Sequence, residues 1–390
     1  MKHVCVVTGT RAEYGLLRWL MEDLRESSDF RLSVIATGMH LSHEFAYTVQ
    51  EIESDGFVVD KKVEMLLSCD SANGIAKSVG IGVIGFADAV RDLNPDIVVL
   101  LGDRYEMLSA AIACLIAGVP IAHLHGGETT EGAFDEAIRH SITKMSHLHF
   151  VAAEAYRRRV IQMGEDPSRV FLVGGLGVDA ITRYPLMTKE ELETALGFPL
   201  RKRNLLITFH PVTLDEMPSD KQLSELLAVL STLEDAQLLF TLPNADTNHS
   251  RLTQLIKGFC SNHSNATVFS SLGQIRYLSC IKHFDGVIGN SSSGLLEVPS
   301  FQKGTVNIGS RQAGRLRAAS VIDCEANFDS IASALNILFS DEFQKSLRSV
   351  KNPYGKGGAS RAIIRILRDF EISVSGKKVF FDLPDIQRFI

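Results

Sequence analysis

Cysteine is scarce and unpatterned in this chain. Six cysteines in 390 residues form no CxxC pair, and several lie inside apolar runs. That argues against a disulfide framework and points to free, mostly buried thiols in a reducing compartment. Long apolar runs are missing too. None approaches the roughly 18 residues needed to cross a bilayer, so no transmembrane span is expected. The apolar stretch after Met1-Lys2-His3 is short and is interrupted by Arg11 and Glu13, which reads as a first strand and not a signal peptide. A basic excess is also absent: 40 Lys and Arg stand against 46 Asp and Glu, a net charge of −6. This argues against a nucleic-acid partner, which needs a clustered basic surface, but a few local arginines can still hold a small anion. No low-complexity tract or disordered tail stands out. Together these points place the chain in the cytosol, away from membrane and nucleic acid.

What is present is a rhythm. Apolar content is 45% and charged content 22%, an ordinary globular balance, and the length suggests two domains. In the first 185 residues, short apolar runs (Val4–Val7, Leu32–Ala36, Asp96–Leu101, Pro120–Leu124, His149–Ala152) alternate with helical stretches. One such stretch carries Leu17, Leu20, Met21 and Leu24 at i, i+3, i+4, i+7 spacing. The pattern restarts at Asn204–Phe209 and continues through Gln237–Leu242, Ala266–Phe269, Gly286–Ile288 and Thr305–Ile308. Continuous apolar strands alternating with helices predict parallel sheets covered on both faces. The expectation is an α/β chain of two halves, residues 1–185 and 186–355, joined near Tyr184–Arg203. Residues 356–390 hold an amphipathic segment, Ile363–Phe370, that packs back on one half.

Open parallel sheets bind ligands beyond the carboxyl ends of their strands, and the polar clusters of this chain follow strands. After the first strand comes Gly9-Thr10-Arg11-Ala12-Glu13-Tyr14-Gly15, neither a dinucleotide fingerprint nor a Walker loop. It reads equally as a tight turn with a surface Arg11 or as an anion site at a helix start. Gly102-Asp103-Arg104 follows the DIVVLL strand, as a turn with an ion pair or as a functional loop. His123-Leu124-His125-Gly126-Gly127-Glu128 comes next. The two histidines share a strand face, but no third ligand stands at convincing spacing, so no metal site is expected. Glycines let the backbone approach a ligand closely beside Glu128, whose other reading is a capping carboxylate. Asp135, Arg139 and His140 share one helical arc, and Asp135 alone suits a helix dipole. Asp103, Glu128 and Asp135 thus follow successive elements of one half, a set suited to moving protons on carbon.

The second half has a different inventory. His210 follows its first strand and Asn244 follows the next. Gly289-Asn290-Ser291-Ser292-Ser293 then reads as a strand end opening a helix, with Glu297 near its second turn. Backbone N–H groups and the hydroxyls of Ser291, Ser292 and Ser293 would cradle a diphosphate, and Glu297 would accept hydrogen bonds from ribose hydroxyls. Arg311, Arg315 and Arg317 follow another strand, as anion ligands or as a solvated basic loop. The second half looks like a nucleotide-diphosphate holder and the first like a source of acids, with the active site in a central cleft.

Taken in order, GTRAEYG (9–15), TGMH (37–40), GDRYE (102–106), HGGE (125–128), FDEAIRHSITKMSHLHF (134–150), FHPVT (209–213), GNSSSGLLEVPS (289–300) and RQAGRLRAASVI (311–322) resemble the hydrolysing UDP-N-acetylglucosamine 2-epimerases. The likeness is greatest to the bacterial branch that feeds N-acetylneuraminate synthesis, and it extends to about residue 370. It implies a GT-B-like pair of Rossmann-like domains with a deep cleft, a C-terminal helix (within 356–390) returning to the first domain, a homodimer, and no metal or cofactor. By matching positions, Arg11, Arg104, His210, Asn244, Ser291, Ser292, Glu297 and Arg311 would hold the UDP. Asp103, Glu128 and Asp135 would be the catalytic carboxylates, with His210 essential beside the diphosphate.

The resemblance implies a reaction that suits the inventory. UDP is eliminated across C1–C2 to give 2-acetamidoglucal, and water then adds with protonation of C2 from the opposite face. The products are UDP and N-acetylmannosamine. The non-hydrolysing branch reads closer to GTRPE and HVEAG at the loops where this chain has GTRAE and HLHGGE. Relatives accept UDP-2,4-diacetamido-6-deoxyhexoses, on the way to legionaminic acid, or a GDP-linked sugar. Two rivals share the fold expectation: a GT-B glycosyltransferase, which would not exchange the C2 proton, and a nucleotide-sugar sensor, which would bind without turnover.

Overall fold

The computed structural model describes residues 1–45, 47–67, 71–129, 134–212, 217–243, 249–270, 272–371 and 378–384. The chain divides into two compact units: Met1–Ala180 with Gly357–Ile390, and Ile181–Lys356.

In the first unit, seven parallel strands run β1 (Lys2–Thr8), β2 (Phe30–Thr37), β3 (Lys61–Val63), β4 (Ile97–Leu101), β5 (Ile121–Leu124), β6 (Leu148–Val151) and β7 (Val170–Leu172). Their spatial order is β3-β2-β1-β4-β5-β6-β7. Alternation along each strand explains why both faces are covered. Val4 and Val6 of β1, with Ile97, Val99 and Leu101 of β4, enter one core with Leu17, Leu20 and Leu24 of the helix Arg11–Glu26. Their neighbours Cys5, Val7, Val98 and Leu100 enter a second core with Phe86, Met107 and Ala110. A strand buried on both sides has no polar face to offer, hence the unbroken apolar runs.

The segment Gly357–Ile390 belongs to this first unit. Ala359, Ile363, Ile364 and Leu367 of the helix Ala359–Asp369 complete the first core. The Asp179 carboxylate fixes the start of that helix by accepting from the N–H groups of Gly358 (2.5 Å), Ala359 (2.9 Å) and Ser360 (2.7 Å). Three otherwise orphaned donors are thereby satisfied.

The second unit repeats the plan with β8 (Arg203–Thr208), β9 (Ala236–Thr241), β10 (Ala266–Phe269), β11 (Gly286–Gly289), β12 (Gly304–Ile308) and β13 (Val321–Cys324). The order is β10-β9-β8-β11-β12-β13, again all parallel. Both units are therefore Rossmann-like. In each, the strand order reverses once, between β1 and β4 and between β8 and β11, which is where such sheets bind ligands. Among the described residues, no helix is long and apolar enough to cross a membrane.

Candidate active site

The loops beyond the β1/β4 reversal hold two connected charge clusters. The first is centred on Arg139, a buried residue of the helix Asp135–Met145. Its guanidinium donates to the Asp103 carboxylate, just past β4, and to the carbonyl of His125 at 3.0 Å. It also lies 4.0 Å from Glu128 Oε2. One fixed positive fork thus gathers groups from two strand ends, a geometry Arg provides and Lys does not. His125 Nδ1 lies 2.9 Å from Glu128 Oε1. Burial, and next the charge of Asp103, push the Asp135 carboxyl upward, while Arg104 and Arg139 pull it back. The structure therefore brings together Asp103, Glu128 and Asp135, with Arg139 as their hub.

The histidines separate into different roles. His123 is a strut: Nε2 meets the Gly102 carbonyl at 2.8 Å and Nδ1 meets Thr143 Oγ1 at 3.1 Å. Burial pushes its pKa down to about 3, so the ring is neutral. His125 lies past the end of β5 with φ at 63° and does not share the strand face of His123. His140 pairs with Glu136 at 3.1 Å on the same helix.

The second cluster holds Arg104, Glu106 and Glu13. Arg104 forks onto Glu106 with contacts of 3.1 and 2.9 Å. Glu13 accepts from the N–H groups of Gly9 (2.8 Å) and Thr10 (3.1 Å), while Thr10 Oγ1 accepts from the Glu13 N–H. This is a capping box, a pattern visible in the sequence as Thr followed three residues later by Glu. Burial raises the Glu13 carboxyl to about 7, opposed by Arg104 and helped by Glu106. Arg11 begins that helix and pairs with Glu51 at 3.2 Å, both half exposed.

In the second unit, Asn290 is the organising residue. Its side chain accepts from the His210 N–H at 2.7 Å and donates to the His210 carbonyl at 2.9 Å. Its own carbonyl accepts from Arg311 (3.0 Å) and Gln312 (2.8 Å). His210 is buried, and its Nδ1 has no hydrogen-bond partner among the described residues. Burial, followed by the charge of Arg311, lowers its pKa to about 4, so it is a neutral donor or acceptor near pH 7. Gly289 turns the chain with φ at 136°, and a Cβ there would stand 1.9 Å from the Thr208 carbonyl oxygen. The serines form less helix than expected. Ser292 caps a single turn, Ser293–Leu296, and Glu297 ends it. Burial raises the Glu297 carboxyl, and the nearby Ser293 side chain pulls it back. Asn244 lies outside the described residues. Among those described, no group of three His, Cys, Asp or Glu residues is placed to hold a metal ion.

Sequence patterning missed Arg139 as a hub, the Glu13–Arg104–Glu106 cluster, and the pair Asn290 and Gln312. Only the capping box at Glu13 carried a local signal.

The family model described as UDP-N-acetylglucosamine 2-epimerase matches residues 22–368. The chain is 44% identical over 384 residues, 98% of itself and 99% of the relative, to the hydrolyzing GDP/UDP-N,N'-diacetylbacillosamine 2-epimerase of Campylobacter jejuni. It is 41% identical over 390 residues, 99% of itself and 98% of the relative, to polysialic acid biosynthesis protein P7 of Escherichia coli. The crystal structure of the UDP-GlcNAc 2-epimerase from Neisseria meningitidis bound to UDP-GlcNAc superposes with a TM-score of 0.73 at 19% identity, over 94% of this chain and 99% of that one. That likeness places the fold among GT-B-like proteins of two Rossmann-like domains. With the family model covering most of its length, the chain belongs to the UDP-N-acetylglucosamine 2-epimerase family.

Proposed function

We propose that this chain is a hydrolysing 2-epimerase of a UDP- or GDP-linked 2,4-diacetamido-6-deoxyhexose. It releases the nucleoside diphosphate and the free sugar inverted at C2. The observation that carries this reading is end-to-end 44% identity with a relative named for that activity. A second reading is the same reaction on UDP-N-acetylglucosamine, giving N-acetylmannosamine for sialic-acid synthesis. The 41% identity with the polysialic acid biosynthesis protein favours it.

The C2 hydrogen of these sugars is not next to a carbonyl, so an enolate route is closed. Elimination of the diphosphate across C1–C2 needs a base at C2 and stabilisation of the departing charge. Asp103, Glu128 and Asp135 supply the carboxylates that support this proton transfer in their shared setting around Arg139. His210 and Arg311, held beside each other by Asn290, supply donors for the diphosphate. Ser291, Ser292, Ser293, Glu297, Arg11, Arg104 and Asn244 complete the proposed nucleotide contacts. Arg104 is already forked onto Glu106 and contributes positive potential more than a free fork. The proposal includes a cytoplasmic homodimer with no cofactor. A glycosyltransferase on this scaffold would leave the C2 proton in place.

The test is kcat/KM for UDP-N,N'-diacetylbacillosamine, its GDP analogue and UDP-N-acetylglucosamine, measured side by side. A diacetamido substrate preferred by tenfold or more is expected. Preference for UDP-N-acetylglucosamine transfers the assignment to the second reading.

A further inference from the structure

We propose that His125 and Glu128 form an acid/base dyad in which His125 Nε2 is the atom that exchanges a proton with the sugar and Glu128 orients the ring. The inference deepens the hydrolysing 2-epimerase reading and rests on it.

Three independent features converge on His125. The first is its backbone. It is one of four non-glycine residues with positive φ among those described, at 63°. A histidine in this region is strained relative to glycine, and such strain persists where surrounding contacts enforce it. Here the contacts are visible. The His125 N–H donates to the Phe150 carbonyl at 3.0 Å, and Arg139 takes its carbonyl at 3.0 Å.

The second is the ring itself. Nδ1 stands 2.9 Å from Glu128 Oε1, in a side chain 13% exposed beside a carboxylate side chain 6% exposed. A carboxylate this close to one ring nitrogen orients the imidazole and favours the tautomer that carries its proton on Nδ1. The opposite nitrogen, Nε2, is buried and has no hydrogen-bond partner among the described residues. His123, two residues earlier, has both nitrogens occupied and is structural by the same criterion.

The third is company. The Arg139 that holds the His125 carbonyl also holds Asp103 and lies 4.0 Å from Glu128. Among the described residues, the charged and titratable groups near His125 include Glu128, Arg139, Asp103 through Arg139, and neutral His123. Glu128, with one oxygen facing His125 and the other facing Arg139, is a positioning residue and not the group that meets the sugar.

Neutral Nε2 takes the proton from C2. The C2–H electron pair becomes the C1=C2 double bond, and the C1–O pair leaves with the nucleoside diphosphate. The imidazolium, beside the Glu128 carboxylate, later returns its proton to solvent. Water then bonds to C1, and C2 takes a proton on the opposite face from the Asp103–Asp135 pair. The proton lost by the adding water restores that acid.

The experiment compares wild type, His125→Asn and Glu128→Gln. Asn tolerates positive φ and lacks a titratable nitrogen. His125→Asn should lower turnover about 10²- to 10⁴-fold while UDP affinity, measured by calorimetry, stays within about threefold. Glu128→Gln should lose about tenfold in kcat with KM within about threefold, because the ring has lost the carboxylate that orients it. Should His125→Asn fail to fold, His125→Gly keeps the left-handed backbone and should show the same loss. Turnover within tenfold of wild type in a folded His125 variant overturns the dyad. So does a Glu128→Gln loss in kcat as deep as that of His125→Asn. A wild-type protein that converts no nucleotide sugar would instead remove the epimerase reading on which the dyad rests.

Discussion

His210 and Asn290, eighty residues apart in sequence, are locked together by two reciprocal hydrogen bonds of 2.7 and 2.9 Å. The Asn side chain satisfies both backbone groups of His210, and the Asn backbone carbonyl gathers Arg311 and Gln312. Asn290→Ala would leave a buried N–H and a buried C=O unpaired, at about 1–3 kcal/mol each. We expect UDP affinity to fall at least tenfold and the melting temperature to drop by several degrees, read by calorimetry. Wild-type UDP affinity in this variant would show that the clamp does not shape the nucleotide site.

The Arg139 hub predicts that charge alone will not suffice. Arg139→Lys keeps the positive charge but cannot reach the His125 carbonyl and Asp103 with one planar fork. Turnover should fall about 10²-fold or more with KM changed little, as steady-state kinetics will show. Near wild-type turnover would demote the hub.

Glu13 gives a pH signature. Its carboxyl is raised from 4.5 to about 7 by burial, so it binds a proton more tightly folded than unfolded. Its contribution to stability is fullest below pH 4.5 and is lost as pH rises toward 7, on the order of 3 kcal/mol at most. Glu13→Gln keeps an acceptor for the Gly9 and Thr10 N–H groups and removes the titration. Urea denaturation between pH 4.5 and 7 should show the variant gaining on wild type as pH rises. A constant difference would refute the shift.

Gly289→Ala should be among the most damaging small substitutions. The added Cβ would meet backbone, not a movable side chain, at 1.9 Å, on a φ that alanine disfavours. We expect more than about 3 kcal/mol of destabilisation or no soluble protein, scored by yield and thermal melting. A melting temperature within a degree or two of wild type would contradict the geometry.

The strand–helix rhythm was legible because a strand buried on both faces must be apolar throughout, as β4 is. The strand-end motifs were legible because ligand loops follow strands in such sheets. What could not be read was pairing across distance. Nothing local joins Asp103 to Arg139 or Asn290 to His210; those pairs exist only once β4, β5, β8 and β11 lie in register. The run Ser291–Ser293 promised a longer helix than forms. Gly294 packs so closely on Thr305 that a Cβ would stand 2.6 Å from its methyl, and Pro299 falls soon after, within the short turn Val298–Phe301. His125 shows no role in the sequence beyond a metal ligand without partners, because its left-handed backbone and its carboxylate neighbour are invisible in a string of letters.

The central claim is tested most directly by following the purified protein with UDP-N,N'-diacetylbacillosamine in D2O by proton and phosphorus NMR. The account predicts free UDP and the C2-inverted free sugar carrying deuterium at C2, without added metal or nicotinamide cofactor. A C2-inverted sugar still joined to UDP, or release of UDP with the C2 proton retained, would contradict it.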